Sequence, residues 1–216
     1  MNGALAGLVI LVLGDSHMAG REYLIGPLHD ALEAAGASVH TYGMCGASAD
    51  AWIYKTSVAC GRAERHDNGP PIADYTGHSV PTWSINDLLK KHHPNIVIAE
   101  MGDAMAGYEA SEMVKPWVYN QVHMLTGIIA AAGATCAWVG PIWGREKEKP
   151  TARVHQVSDF LAQTVPPCAY IDSTKFWQSG QWATTDGQHL TLPGYRAWAT
   201  AISAAVVQLK GQNVLH

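Results

Sequence analysis

Three side chains in this sequence could share one reaction: the hydroxyl of Ser16, the imidazole of His189 and the carboxylate of Asp186. A serine hydroxyl is a weak nucleophile until a base takes its proton, and imidazole, with an ordinary pKa near 6.5, suits that task near neutrality. A carboxylate three residues before the histidine can hold one ring nitrogen while the other faces the serine. That gives a nucleophile, a general base and an orienter. Asp186-Gly187-Gln188-His189 lies in a stretch rich in Gly, Thr and Pro, so both side chains belong to a loop and not to a core face. A D-x-x-H pair is ordinary on loops, and a serine at a helix start is also an ordinary N-cap. The elements that carry these residues therefore decide the reading.

Ser16 follows Val9-Ile10-Leu11-Val12-Leu13 and Gly14-Asp15. Such an apolar run, rich in branched side chains and stopped by a turn, predicts a buried parallel strand. The serine then stands where strand gives way to helix, at the carboxyl end of a strand, which is where open α/β sheets bind ligands. Downstream the pattern alternates. Residues 22–35 place Leu24, Leu28, Ala31, Leu32 and Ala35 on one helical face, with Gly36 as a stop. Strands are predicted at 38–42, 95–99, 135–139 and 168–171, and helices at 49–54, after Ser84, from Pro116 to Ala132, at 151–163 and from 194 to about 209. Residues 56–82 carry no period and read as a long irregular loop. Strands alternating with helices through right-handed crossovers predict a three-layer α/β/α sandwich with a parallel five-stranded sheet, in one domain over residues 1–216.

Gly14-Asp15-Ser16-His17 after the first strand, Gly46 after the second, Gly102 after the third and Asp186-x-x-His189 before the last helix together resemble the four blocks of the SGNH, or GDSL-type, hydrolases. The resemblance runs over nearly the whole chain. It implies a flavodoxin-like sheet of strand order 2-1-3-4-5 and an ester-hydrolysing triad. By that resemblance Ser16 is the nucleophile, His189 the base and Asp186 its partner, while the backbone N–H groups of Ser16 and Gly46 line the oxyanion hole. One block departs. The family reads Gly-x-Asn, whose asparagine amide is the third oxyanion donor, and this chain has Gly102-Asp103-Ala104. A methyl group cannot donate a hydrogen bond. Either catalysis is weakened, another group such as Asp103 or an incoming side chain substitutes, or the chain is a deliberately altered form of an active enzyme; the intact remainder of the machinery favours alteration. An ionised Asp103 would repel an oxyanion.

A net charge of −4 and the lack of a basic stripe interleaved with aromatics argue against nucleic acid as a partner. The apolar run from Ala4 to Leu13 is too short to span a bilayer, lacks a basic leader and runs straight into the serine turn, so it reads as a strand and not a signal peptide. Cys45, Cys60, Cys136 and Cys168 lack the C-x-x-C spacing of a zinc site. No metal or cofactor is expected. Pairing Cys45 with Cys60 and Cys136 with Cys168 suits the predicted strand layout, and two disulfides would place the protein in the periplasm or outside the cell, four buried thiols in the cytoplasm. The resemblance implies short acyl esters, foremost O-acetyl groups on carbohydrate. Asp15 and His17 beside the serine and Trp143 are candidate substrate contacts. Other loop tryptophans, namely Trp52, Trp83, Trp177 and Trp182, either stack on sugar or pack internally. Residues 56–82 and 144–149 would wall the cleft. The same acyl-enzyme could serve an O-acetyltransferase, and Ala104 leaves room for a non-catalytic glycan-binding protein.

Overall fold

The computed structural model describes residues 3–75 and 79–216. In chain order the elements are β1 (Val9–Gly14), α1 (Ile25–Ala34), β2 (Ser38–Met44), α2 (Ala49–Ile53), β3 (Ser57–Val58), β4 (Arg62–His66), β5 (Ile72–Asp74), β6 (Val80–Pro81), α3 (Ile85–His92), β7 (Ile96–Glu100), α4 (Asp103–Ala106), α5 (Lys115–Ala131), β8 (Thr135–Val139), α6 (Thr151–Thr164), β9 (Ala169–Ile171) and α7 (Leu192–Gly211). Ser16–Met18 forms a single 3-10 turn directly after β1.

Strands β2, β1, β7, β8 and β9 lie side by side and parallel. Numbered among themselves they run 2-1-3-4-5, as expected. The alternation of side chains then divides the strands between two cores. Leu11, Leu13, Val97 and Ala99 face α2, α3, α5 and α6, while Ile10, Val12, Ile96 and Ile98 face α1 and α7. Both faces are covered, so β7 is buried at every position, the condition under which parallel strands become continuous apolar runs. The carboxyl ends of β1, β2 and β7 thus bring Ser16, Gly46 and Gly102 to one edge of the sheet.

The sheet has two more strands than expected. Among the described residues it is seven-stranded, because β4 adds antiparallel to β2 and β5 antiparallel to β4. Both come from the segment expected to be irregular, as does the small β3–β6 ladder; Thr76, Gly77 and His78 of that segment lie outside the described residues. The reason is physical. β4 is Arg-Ala-Glu-Arg-His, without an apolar run, and its place is secured by partners far away: the buried Arg65 guanidinium donates to Asp30 Oδ1 at 2.6 Å, to the Gly26 carbonyl at 3.0 Å and to the Gly69 carbonyl at 2.8 Å. Two disulfides brace the structure, Cys45–Cys60 joining the end of β2 to the chain entering β4, and Cys136–Cys168 linking the neighbouring strands β8 and β9.

Candidate active site

Ser16 begins the 3-10 turn after β1, and His189 and Asp186 lie on the loop that precedes α7. Although 173 residues separate them, His189 Nε2 is 2.8 Å from Ser16 Oγ. Nδ1 of the same ring is 2.7 Å from Asp186 Oδ2. A carboxylate only accepts, so Nδ1 carries the proton and Nε2 offers its lone pair to the serine hydroxyl. Asp186 is itself held by its loop, Oδ1 accepting from the N–H groups of Gln188 at 2.9 Å and His189 at 2.8 Å. Partial burial pushes its carboxyl up, and these donors with His189 outweigh that and hold it at about 2. It is therefore ionised near neutral pH. Gly187 closes this turn at φ +98°, a left-handed conformation that L side chains rarely adopt.

Loop 144–149 supports the turn from behind. Arg145 N–H donates to the Gly187 carbonyl at 2.7 Å, and the Arg145 guanidinium reaches the Asp186 carbonyl at 3.4 Å. Tyr23 stacks on the His189 ring with centroids 5.3 Å apart, and His17 lies against it at 5.1 Å, so the imidazole is held between aromatic neighbours and its carboxylate. Ser16, Asp186 and His189 open onto a cleft of about 440 Å³ that Tyr23, Tyr75, Arg21 and the Cys45–Cys60 bridge also line. Gly46 adopts φ +72° in the turn after β2. Among the described residues neither the Ser16 nor the Gly46 N–H has a hydrogen-bond partner within the protein, which leaves both free to donate.

Behind the serine the structure holds a second group that local sequence spacing does not reveal. His17 donates from Nε2 to Asp103 Oδ2 at 2.6 Å and accepts at Nδ1 from the Tyr195 hydroxyl at 2.9 Å. Asp103 also accepts from Lys149 Nζ and from the Tyr108 hydroxyl, each at 2.5 Å. The Lys149 side chain is wholly buried. Burial alone would raise the Asp103 carboxyl, and the lysine and His17 reverse that and hold it well below the usual range. Burial pushes His17 down to about 4, so it is neutral. Asp15 Oδ1 caps the His17 N–H at 3.1 Å while Oδ2 is buried without a partner; burial, then the Asp103 charge, raises it to about 7. Glu100, buried beside it, is pushed well above its ordinary value by burial and by Asp15 and Asp103.

Two expectations are corrected here. Asp15 and His17, each 1% exposed, face the protein interior and not a ligand. Trp143 is buried too, its indole N–H donating to the Trp177 carbonyl at 2.6 Å and its ring meeting His155 edge-on, because an indole in the core must satisfy its N–H. Of the other tryptophans, Trp52 is fully buried, Trp177 and Trp182 pack on one another, and Trp83 lies under Arg62; the aromatic walls of the cleft are Tyr23 and Tyr75. Asp103 is no substitute oxyanion donor, since both its oxygens are engaged in the interior. Ala104 is exposed on α4 and presents only a methyl group.

The chain is 39% identical to Protein BcsX of Komagataeibacter xylinus over 212 residues, covering 96% of this chain and 79% of that protein. Its fold matches that of a lipase/acylhydrolase from Enterococcus faecalis with a TM-score of 0.60 at 15% identity, covering 95% of this chain and 96% of the other. A peptidoglycan O-acetylesterase superposes with a TM-score of 0.60 at 11% identity, over 97% of this chain and 93% of the other. No protein-family model matches the sequence. The fold is that of the SGNH hydrolases.

Proposed function

We propose that this chain, which belongs to the family of Protein BcsX, is a serine esterase that removes short acyl groups, O-acetyl foremost, from carbohydrate through an acyl-Ser16 intermediate. The observation that carries this is the unbroken line of hydrogen bonds from Ser16 Oγ through His189 to Asp186 at the wall of an open cleft. In the first half of the reaction Ser16 Oγ bonds to the acyl carbon as its proton passes to His189 Nε2. The sugar oxygen then leaves and takes that proton. In the second half His189 draws a proton from water, the hydroxide oxygen bonds to the acyl carbon, and the carboxylic acid departs from a restored serine. The free N–H groups of Ser16 and Gly46 are the donors available to the oxyanion, and Ala104 adds none.

The carbohydrate reading draws support from the fold shared with a peptidoglycan O-acetylesterase and from the tyrosines on the cleft walls, which offer flat faces to a sugar ring. Release of acetate from an O-acetylated oligosaccharide, measured for this chain and for Ser16→Ala, tests it. Loss of release in the variant is expected; equal traces from both would favour a non-catalytic glycan-binding protein, the reading that the missing third donor supports. We place the protein in the periplasm or outside the cell. Two disulfides that leave no free cysteine support that location. Thiol counting on denatured, unreduced protein is expected to find none.

A further inference from the structure

The geometry points to a second site, outside the cleft, in which His40, His66 and His92 together bind one late first-row divalent metal ion, zinc being the best match. His40 on β2 and His66 on β4 stand directly opposite each other in the antiparallel ladder, and His92 ends α3 above them. One ligand nitrogen from each lies within 4.8 Å of the other two. His40 Nδ1 and His66 Nδ1 are 3.3 Å apart. Two nitrogens bound at about 2.0–2.1 Å to one tetrahedral ion stand roughly 3.3–3.4 Å apart, so an ion could replace the proton that this hydrogen-bonded pair shares without moving the rings apart.

Hydrogen bonds support two of the three rings, while His40 and His92 stack with centroids 3.9 Å apart and must tilt for both lone pairs to meet one ion. His66 Nε2 donates to Glu64 Oε2 at 2.9 Å, which leaves Nδ1 as a lone pair facing His40. A carboxylate on the remote nitrogen is the usual support for a coordinating imidazole. The Tyr42 oxygen lies 2.7 Å from His92 Nε2 and can accept a hydrogen bond from it. Lys91, 3.4 Å from the Tyr42 hydroxyl, opposes a cation, and Glu64 and Asp67 offset it. An all-imidazole set favours zinc, copper or nickel, and every cysteine is in a disulfide and offers no thiolate. The fourth position would be left to water. An ion here would tie the β4–β5 hairpin to α3, and that hairpin leads to Tyr75, whose hydroxyl accepts the Arg21 N–H at the cleft.

Chelator-treated protein titrated with Zn²⁺ by calorimetry is expected to bind one ion per chain and to show a raised melting temperature. Co²⁺ in its place should give the visible bands of a tetrahedral nitrogen site. His40→Gln and His92→Gln should each weaken Zn²⁺ binding by at least 100-fold, and Glu64→Gln, which keeps all three ligands, by roughly 10–100-fold. Near-UV circular dichroism checks that each variant is folded. Absence of Zn²⁺ binding in the unaltered chain overturns the assignment, as does binding of equal strength in folded His40→Gln and His92→Gln proteins, which would place the ion elsewhere.

Discussion

Two groups of titratable side chains meet at the end of β1, and they are held in opposite ways. In the cleft, Asp186 is half exposed and its links to His189 span three residues, so the pair is built by one tight turn. In the interior, Asp103, Lys149, His17 and Tyr195 come from four distant parts of the chain and are almost fully shielded from water. A hydrogen bond near water contributes little net stability, whereas breaking a buried ion pair leaves an uncompensated charge. The cleft group can therefore be altered at a cost to chemistry, and the interior group only at a cost to folding.

The sharpest break of this contrast is His189→Ala. Removing the base of such a triad lowers turnover on the order of 10⁶-fold, while its melting temperature should stay within a few degrees of the unaltered chain; p-nitrophenyl acetate hydrolysis and thermal unfolding measure the two effects. On the interior side, Lys149→Met should cost about 3–5 kcal/mol of stability, because it strands the Asp103 carboxylate. Urea unfolding reads that loss, and pairing it with Asp103→Asn should recover part of it. Between the two regions stands Ala104. Ala104→Asn is expected to raise kcat by roughly 10²–10³-fold with KM within a few-fold, since a third donor acts on the charge that develops in the transition state and less on the neutral carbonyl. An Asn variant no faster than the present chain would mean that this position is not a vacated oxyanion donor.

The smallest effect concerns pH. Glu100 has a folded pKa raised well above its ordinary 4.5, so the stability that its protonated form confers is complete below that value and is lost as pH rises through the folded one. Asp15, raised from 3.8 to about 7, adds a loss of the same sign between those values. His17, lowered from 6.5 to about 4, acts the other way, its contribution complete above 6.5 and lost as pH falls toward 4. Glu100→Gln should therefore flatten the decline of melting temperature as pH rises above 4.5, and an unchanged slope would show that burial does not hold Glu100 protonated in the folded chain.

The same contrast explains what the sequence made legible. Gly-Asp-Ser after an apolar run and D-x-x-H before the last helix are short-range patterns, and the cleft group could be read from them together with the parallel strand order. The interior group could not. Lys149 sits in Gly-Arg-Glu-Lys-Glu-Lys, which looks like a solvated loop, and nothing local says that this lysine turns inward to meet Asp103, 46 residues away. The β4–β5 hairpin is illegible in the sequence for a related reason, since the polar β4 is secured by Asp30 and Gly26 on α1. Trp143 misled because aromatic character alone does not separate a ligand-facing ring from a buried one.

The length of the outermost strands has a consequence for how these molecules behave in a crowd. A sheet border offers unpaired N–H and C=O groups on which another chain can add, and long flat borders are where aggregates seed. Among the described residues the sheet ends on β5 at one side and β9 at the other, each only three residues long. The longer hydrophobic strands are thereby enclosed within the sheet, and its two short borders give a neighbouring copy little to grip at high concentration.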